Sequence, residues 1–195
     1  MRVIAGMYRS RSLLAPPGLA TRPTSDRLRE SLFSILAPQI AGAAFVDCYA
    51  GSGAVGIEAL SRGARQVTFI ENAPAALAAL RANLAALGIK EGFHIEAAGV
   101  PAVFSRLTQP CQILFLDPPY DQAYAYERVF EAPPVQTGPL LDSGGIVIAE
   151  HRRKQPLRQR YGQLERYRVL EQGDAALSFY QLAKRPASAP AADRP

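Results

Sequence analysis

Several residue types are scarce in this sequence, and each scarcity excludes a kind of protein. Tryptophan is absent, and histidine, cysteine and methionine occur only twice each among 195 residues. Two histidines cannot build a convincing metal centre, so we expect no metal site. No apolar run approaches the ~20 residues that cross a bilayer, and the first residues lack the apolar block of a secretion signal. We therefore expect no membrane partner.

The two cysteines indicate a reducing compartment. Cys48 and Cys111 lie in or beside segments that we predict to be core strands. Disulfides are rare in cytoplasmic proteins, whereas reduced cysteine is among the most frequently buried residue types. We therefore expect two buried thiols in a cytoplasmic protein.

Length and composition are typical of one globular domain with a substantial core. Hydrophobic residues make up 48% of the chain and charged residues 20%, so enough apolar surface is present to fill that core. We divide the chain into an N-terminal extension over residues 1–40, an α/β body over 41–185 and a tail over 186–195. The tail has too little to bury, so we expect it to be disordered. Because no extended apolar surface helix demands a partner, we expect a monomer.

The net charge of +5 is distributed unevenly along the chain. Residues 1–30 hold six arginines against two acidic residues, and residues 151–168 hold seven basic residues against one. Between them, residues 31–150 hold six basic and eleven acidic residues. Two basic flanks around an acidic body suit a phosphate backbone, whose binding releases counterions. The alternative, that these charges are only solvated faces, stays open at this point.

Strand and helix patterns alternate through the body of the chain. Five strand–helix units predict a parallel sheet with helices on both faces, which is an α/β fold. Gly173 and Asp174 separate the last two strands, as in a hairpin that adds an antiparallel strand at one edge. The extension is predicted to hold a short hairpin and an amphipathic helix that Thr24 or Ser25 caps. The predicted strands cover 44–49, 66–71, 93–97, 112–117, 144–150, 164–172 and 176–185. The body is predicted to hold one helix that ends at Gly63 and three that cover 74–87, 100–107 and 124–132.

Three carboxylates stand at the ends of predicted strands. Asp47 ends the first strand, Glu71 the second and Asp117 the fourth. In an open parallel sheet, ligands bind beyond the carboxyl ends of the strands, where the strand order reverses. We therefore expect these three acids to meet at one edge of the sheet and form a site.

The stretch "GSGAVG" forms a glycine-rich turn between the first strand and the next helix. Gly51, Gly53 and Gly56 satisfy the dinucleotide pattern G-x-G-x-x-G, and Glu71 follows at its usual distance. A nicotinamide-dependent oxidoreductase is therefore one alternative, and a turn without ligand is another. Asp47 disfavours a dinucleotide because a carboxylate at this position would repel the negatively charged pyrophosphate. No residue pair suited to hydride transfer is evident, whereas a cationic ligand with an amino group would suit Asp47.

The sequence "ILFLDPPYD" ends the fourth strand abruptly, because Pro118 and Pro119 permit neither a strand ladder nor a helix. "DCYAGSG" resembles the first motif of class I S-adenosylmethionine-dependent methyltransferases, and "DPPY" resembles the signature of members that methylate exocyclic or amide nitrogens. That resemblance implies that the Asp117 carboxylate and the Pro118 carbonyl accept both N–H groups of an amine. The prolines fix this geometry, and Tyr120 stacks on a base that has left its helix.

The stretch "RVIAGMYRSRSLLAPPGLATRPTSDRLRESLFSIL", followed by "VDCYAGSGAVGIEALSRGA", resembles the bacterial RsmD family, whose members methylate N2 of a guanine in 16S rRNA. The resemblance runs from about Arg2 to Lys184. It implies a Rossmann-like class I methyltransferase fold with a mostly parallel seven-stranded sheet, and a catalytic domain over 41–185. It also implies S-adenosylmethionine as cofactor and 16S rRNA, or the assembling 30S subunit, as partner.

Carried over by position, the resemblance assigns roles to three groups of residues. Where many relatives hold an adenine-binding Asp or Asn, this chain has Ala98 and Gly99, so adenine recognition is left to backbone groups and apolar walls. An adenine-N6 methyltransferase and a catalytically inactive RNA-binding protein remain alternatives. The catalytic residues are Asp117, Pro118 and Tyr120; the cofactor-binding residues are Thr24, Asp47, Gly51, Gly53 and Glu71; and the substrate-binding residues are Arg9, Arg11, Arg27, Arg29 and Pro119.

Overall fold

The computed structural model of the protein describes residues 1–16, 24–119, 124–137 and 139–183. Within these ranges the strands are β1 (Ala44–Cys48), β2 (Gln66–Glu71), β3 (Phe93–Ala97), β4 (Cys111–Leu116), β5 (Leu141–Arg152), β6 (Arg160–Tyr161), β7 (Leu164–Gln172) and β8 (Ala175–Leu182). The helices are α1 (Asp26–Leu36), α2 (Ala54–Ser61), α3 (Pro74–Ala86), α4 (Tyr124–Phe130) and α5 (Pro133–Gln136), with a 3-10 helix over Ala102–Arg106.

The described strands form one sheet in the order β3-β2-β1-β4-β5-β8-β7-β6. Strands β1 to β5 are parallel to one another, and β8 runs antiparallel between β5 and β7. The predicted α/β class and antiparallel hairpin are confirmed. The predicted number of seven strands is wrong for the described residues, because Arg160 and Tyr161 pair with β7 and add an eighth strand at the edge.

The central strands are apolar on both faces because helices cover both faces of the sheet. Every residue of β1 is buried, and nearly every residue of β4, which is the pattern of a parallel strand between two helical layers. On one face, Phe45, Phe69 and Phe115 share a core with α1, α2 and α3. On the other, Leu114 and Leu116 share a core with α4, α5 and the 3-10 helix.

The N-terminal extension packs into the same core as the body. Residues 1–16 form a loop closed by an antiparallel bridge between Arg2 and Ser12. Val3 and Leu13 are buried in the core that α1 shares with the sheet. Ser25 caps α1, since its Oγ accepts a hydrogen bond from the Leu28 amide at 3.1 Å. The extension therefore adds a layer to the body, and its separate functional role stays a prediction.

Two local differences from the predicted elements have simple causes. The helix predicted over 100–107 is a 3-10 helix of five residues, a length at which this tighter form is common. Helix α5 was not predicted because it spans only four residues and begins with two prolines. The predicted disordered tail, residues 186–195, lies outside the described residues. Among the helices of the described ranges, none has the length and apolar character to span a membrane.

Candidate active site at the carboxyl ends of the strands

Four acidic side chains lie at one edge of the sheet, which we call the carboxyl rim. The rim is formed by the carboxyl ends of the parallel strands β2, β1, β4 and β5. Asp47 and Glu71 lie at or near the ends of β1 and β2, Asp117 follows β4, and Glu150 lies near the end of β5. The strand order reverses between β1 and β4, so Asp47 and Asp117 flank the switch point at which such sheets bind ligands. The predicted convergence of Asp47, Glu71 and Asp117 on this edge is confirmed.

Glu71 ties the glycine turn to the start of α3. Its Oε2 accepts from the Gly51 amide at 2.8 Å, and its Oε1 accepts from the amides of Asn72 and Ala73, each at 2.8 Å. A carboxylate offers about four lone-pair positions, so these three bonds leave room for a ligand hydroxyl. The contacts make Glu71 an organiser of the turn as well as a candidate ligand-binding residue.

Asp47 is buried beneath the glycine turn. Its Oδ2 accepts from the Gly56 amide at 2.9 Å, and the residue is only 2% exposed. Burial raises the pKa of Asp47 to about 7; the nearby Glu71 carboxylate adds to this rise, and the Gly56 hydrogen bond opposes it. A bound cation would therefore stabilise the ionised form of Asp47.

The second and third glycines of the turn have packing roles. A Cβ at Gly53 would lie 2.3 Å from Leu80 Cδ1, and Gly53 has a φ of +83° that disfavours other residues. A Cβ at Gly56 would lie 2.3 Å from Phe69 Cε1. These glycines let α2 approach α3 and β2 closely, while cofactor binding by Gly51 and Gly53 stays a prediction.

A cavity of about 510 Å³ opens at the rim beside Glu71, which is a size typical of small-molecule sites. Ala98, Gly99 and Val100 form part of its wall, as expected for a pocket that uses apolar groups and backbone. Glu96, near the end of β3, pairs with Arg106 at 3.4 Å and is not among the residues that line the cavity. We call this space the rim cavity, and it is lined by Tyr49, Ile70, Glu71, Asn72, Ala98, Gly99, Val100, Ala102, Tyr124, Ala125 and Arg128.

Tyr49 is a residue of the cavity wall that sequence reasoning missed. It has a φ of +65°, which is uncommon for a residue with a bulky side chain. Such backbone strain concentrates at functional sites. Burial raises the pKa of Tyr49 to about 12, with a smaller contribution from Cys48, while Arg128 opposes the rise. Tyr49 is therefore a neutral wall of the cavity at neutral pH.

Asp117 belongs to a second group of contacts, next to the end of β5. The Thr24 hydroxyl lies 2.7 Å from Glu150 Oε2 and 3.3 Å from Asp117 Oδ2. Removal from water raises the pKa of Asp117 well above its usual range, and the charges of Glu150 and then Asp47 raise it further; the Thr24 contact opposes the rise. The Asp117 amide lies 3.5 Å from the Cys48 carbonyl, so β1 holds the backbone of this carboxylate.

Glu150 is the second site residue that sequence reasoning missed. It is 3% exposed and ends the apolar run "GGIVIAE" in the way that Asp117 ends "ILFLD". This similarity between the two strand ends could have identified Glu150 from the sequence. Thr24, predicted to bind the cofactor, meets Asp117 and Glu150, and its contact with a cofactor stays a prediction. Among the described His, Cys, Asp and Glu side chains, no group of three is arranged to hold a metal ion.

The other residues predicted around the amine are only partly described. Pro118 is buried and Pro119 is partly exposed, directly after Asp117. Tyr120 lies outside the described residues. The roles predicted for Pro118, Pro119 and Tyr120, which are to hold a base and to stack on it, therefore stay predictions.

Arg29 is a correction to the predicted substrate-binding residues. Its side chain is fully buried, and its Nη2 donates to the Arg2 carbonyl and, at 2.9 Å, to Asp26 Oδ1. Its Nε lies 4.0 Å from a carboxylate oxygen of the buried Glu58. Burial lowers the pKa of Arg29, while the charges of Asp26 and Glu58 oppose this. Because it is enclosed between α1 and α2, Arg29 cannot meet RNA in this structure.

Arg9 and Arg11 are exposed but lie away from the rim. Gly6, in the same loop, packs against Ser61, the last residue of α2. Arg11 Nη2 donates to the Ala86 carbonyl at 3.2 Å, and the C-terminus of α3 lies roughly 18 Å along the helix from its rim end at 1.5 Å per residue. Any RNA contact of these arginines would therefore be remote from Asp117.

The basic segment 151–168 is exposed over most of its length, and two of its arginines are ion-paired. Arg158 pairs with Glu127 and Glu131, and Arg160 pairs with Glu165 at 3.0 Å. Arg153 and Lys154 are exposed directly after β5, at the rim. Arg27 is also exposed, three residues after the Thr24 that contacts Glu150. Basic residues from both flanks therefore lie within four residues, along the chain, of the contact between Thr24 and Glu150.

The fold and the rim site together define a Rossmann-like α/β protein of the methyltransferase class. The solved structure titled "Putative methyltransferase yhhF from Escherichia coli" matches it with a TM-score of 0.82 and 30% identity. The match covers 95% of this chain and 99% of that one.

The family described as "Conserved hypothetical protein 95" matches residues 1–181, and the chain belongs to this family. It is 32% identical over 184 residues to the "Putative rRNA methyltransferase YlbH" of Bacillus subtilis, covering 93% of this chain and 98% of that relative. It is 40% identical over 129 residues to "Ribosomal RNA small subunit methyltransferase D" of Escherichia coli, covering 66% of this chain and 65% of that relative. The resemblance to the RsmD family is confirmed.

Proposed function

We propose that this chain transfers a methyl group from S-adenosylmethionine to the exocyclic N2 amine of a guanine in 16S rRNA during assembly of the small subunit. The observation that carries the proposal is the location of Asp47 and Asp117 at the carboxyl ends of the two strands that flank the switch point, at the edge of the sheet where Glu71 lines the rim cavity. The relatives named as ribosomal RNA methyltransferases support an rRNA substrate.

The residues around the rim cavity fit S-adenosylmethionine by charge and by shape. When bound, the cofactor supplies an electrophilic methyl group on a sulfonium. The buried Asp47 favours a cationic ligand, Glu71 can still accept from a ribose hydroxyl, and the apolar wall at Ala98 and Val100 suits an adenine ring. Gly51, Gly53 and Thr24 complete the set of proposed cofactor contacts.

Asp117 and its neighbours would activate the amine. The lone pair of a guanine N2 amine is delocalised into the ring, so the amine is a poor nucleophile. The Asp117 carboxylate and the Pro118 carbonyl, each accepting one N–H, would turn the lone pair towards the methyl group. Pro118 and Pro119 keep the two acceptors in place, and Tyr120 would stack on the extruded base.

Basic residues would hold the RNA by its phosphates, which positions a nucleic acid without reading its sequence. Arg27, Arg153 and Lys154 are exposed near the end of β5 and are suited to phosphates close to the target base. Arg9 and Arg11 are suited to phosphates farther along the RNA. Ribosomal subunits assemble in the cytoplasm, so the proposal implies a cytoplasmic protein, and we expect it to act as a monomer.

The test is transfer of labelled methyl from S-adenosylmethionine to small ribosomal subunits that lack the modification, followed by nucleoside analysis. We expect the label in N2-methylguanosine. Label in N6-methyladenosine would support the alternative adenine-N6 activity. Absence of transfer to subunits and to naked rRNA would overturn the proposal.

A further inference from the structure

The Thr24 hydroxyl lies between two carboxylates that come from different strands. It is 2.7 Å from Glu150 Oε2 and 3.3 Å from Asp117 Oδ2. Thr24 is 6% exposed and Glu150 is 3% exposed. A hydroxyl has one proton and two lone pairs, so it can donate to one neighbour while it accepts from the other. Thr24 is therefore placed to carry a proton between Asp117 and Glu150 with no change of partner.

We propose that Glu150 is the final acceptor of the proton that the methylated amine releases, and that Thr24 passes this proton on from Asp117. This role rests on the proposed methyl transfer, and it adds two residues to the chemistry of the same site. Glu150 does not touch the amine but acts through Thr24 and Asp117.

The proposed step balances in atoms and charge. The nitrogen–carbon bond forms as the carbon–sulfur bond of the donor breaks, and the electron pair of that bond stays on sulfur. The excess proton on nitrogen passes to Asp117, Asp117 gives a proton to Thr24 Oγ1, and Thr24 gives its own proton to Glu150 Oε2. At the end Glu150 is neutral, Asp117 is ionised and the methylated amine is neutral.

The electrostatics of the rim favour uptake of this proton by the carboxylates of Asp117 and Glu150, which the Thr24 hydroxyl joins. A sulfonium cation becomes a neutral thioether, so the site loses one positive charge while several carboxylates remain close together. Asp117, after β4, lies beside Glu150, and Asp47 of β1 acts on Asp117 in turn. Leu177 lies opposite Glu150 on β8, and the Tyr126 hydroxyl of α4 donates to the Glu150 carbonyl at 2.7 Å. Protonation of Glu150 removes one negative charge, and it leaves Asp117 able to accept the next amine.

Two single variants and one conservative variant test this relay in the full-length protein. Thr24→Val removes the hydroxyl at nearly constant shape, Glu150→Gln removes the proton acceptor, and Thr24→Ser keeps the hydroxyl. In single-turnover transfer to small subunits that lack the modification, we expect the first two to be slower by at least about tenfold. We expect Thr24→Ser to stay within about threefold of the wild type, and the double variant Thr24→Val/Glu150→Gln to be no slower than the slower single variant, because both act in one chain.

A second readout separates a relay from a merely structural role. In Glu150→Ala, which vacates the volume of the carboxylate, the proton must leave to an external base, so we expect added formate to speed transfer by this variant and to leave the wild-type rate unchanged. The pH profile of the variant should then follow the external base. Cofactor affinity and thermal unfolding verify that each variant folds, and Glu91→Gln, an exposed carboxylate on a distant loop, serves as the control.

The outcomes distinguish the relay from the methyl transfer on which it rests. Wild-type transfer together with unchanged rates in Thr24→Val and Glu150→Gln would overturn the relay alone. Thr24→Ser as slow as Thr24→Val would also overturn it, because the hydroxyl would then have no role. If Glu150→Gln does not fold, the comparison of the two Thr24 variants decides. If the wild-type protein transfers no methyl group at all, both the relay and the proposed function are wrong.

Discussion

At the scale of single residues, the rim combines features that cost stability with features that suit a reaction. Asp117 lies near Glu150 and Asp47, and removal from water together with these two charges raises its pKa. Burial likewise raises the pKa of Asp47 to about 7. Like charges so placed destabilise a fold unless a ligand or a proton compensates them. Both acids are therefore expected to matter more for activity than for folding.

Replacement of Asp117 by alanine tests its catalytic role. We expect methyl transfer to small subunits to fall at least about 100-fold, because the amine loses a preorganised acceptor. We expect cofactor and RNA affinities to stay within about twofold, and the melting temperature not to fall, since a repelled carboxylate is removed. Single-turnover assays and differential scanning calorimetry measure these effects, with Glu91→Ala as control. A variant that transfers methyl groups at the wild-type rate would exclude Asp117 from the chemistry.

The pKa of Asp47 predicts a pH dependence of cofactor binding. If the cationic cofactor binds only the ionised carboxylate, a pKa of about 7 implies that affinity tightens about tenfold between pH 6 and pH 8. Isothermal titration calorimetry should show this slope, together with proton release below neutral pH. Asp47→Asn should bind more weakly and with a flat pH profile. An equally steep profile in Asp47→Asn would assign the titration to another group.

The raised pKa of Asp47 also determines how the stability of the ligand-free protein changes with pH. Because the pKa of Asp47 in the fold lies above the ordinary value of 3.8, the folded state holds the proton more tightly than the unfolded state. Asp47 therefore contributes stability at low pH that is lost as pH rises from about 4 to about 7. We expect the melting temperature of Asp47→Asn to depend less on pH over this interval than that of the wild type.

At the scale of elements, the turn between β1 and α2 is built as much by close packing as by ligand chemistry. Gly56 lies inside α2 with an ordinary helical backbone, so its missing side chain has a steric reason. A Cβ there would lie 2.3 Å from Phe69 Cε1 and 2.8 Å from Val67 Cγ1. The glycine pattern that suggests a cofactor turn is therefore also the pattern that lets α2 contact β2.

Replacement of Gly56 by alanine separates these two explanations. In an unhindered helix this change would stabilise by about 1 kcal/mol, but here the overlap with Phe69 should lower the free energy of unfolding by about 2 kcal/mol. Urea denaturation measures it. The matched control is Gly88→Ala, where a Cβ meets nothing within 4 Å and only the φ of +69° opposes it. A Gly56→Ala protein as stable as the wild type would contradict the packing role.

Sequence patterns located most elements because those patterns are local. The strands Gln66–Glu71, Phe93–Ala97 and Leu164–Gln172 have the predicted bounds, since apolar runs or turn residues mark both ends. The strand Arg160–Tyr161 escaped prediction because two polar-flanked residues carry no periodicity, and it exists only through pairing with β7. Short elements of this kind depend on the partner that they meet.

At the scale of the whole molecule, folding joins one part of each basic flank at the carboxyl rim. Thr24 and Glu150 are 126 residues apart in sequence and in hydrogen-bond contact. Arg27 follows the first, and Arg153 and Lys154 follow the second. An acidic site is thus bordered by basic residues that can hold phosphates without entering the site.

Removal of this rim charge should weaken RNA binding selectively. For Arg153→Ala/Lys154→Ala we expect several-fold weaker binding to small subunits or 16S rRNA at about 100 mM salt, and a log–log salt slope smaller by roughly two. Cofactor affinity should not change. The matched control is Arg158→Ala/Arg160→Ala, which removes the same charge from residues that pair with Glu127, Glu131 and Glu165. Equal losses of RNA affinity in both double variants would mean that only the total positive charge matters, and that Arg153 and Lys154 have no particular role.

The sequence by itself determined the α/β class, the common edge of Asp47, Glu71 and Asp117, and the membership of a methyltransferase family. It did so because strand ends, turn glycines and proline pairs act within a few residues of chain. Only the tertiary structure decided that Arg29 is enclosed beside Glu58, because the carboxylate that it meets lies on another helix and no local pattern marks that contact. The meeting of Thr24 with Asp117 and Glu150 was likewise decided by the packing of distant segments, which no local pattern encodes.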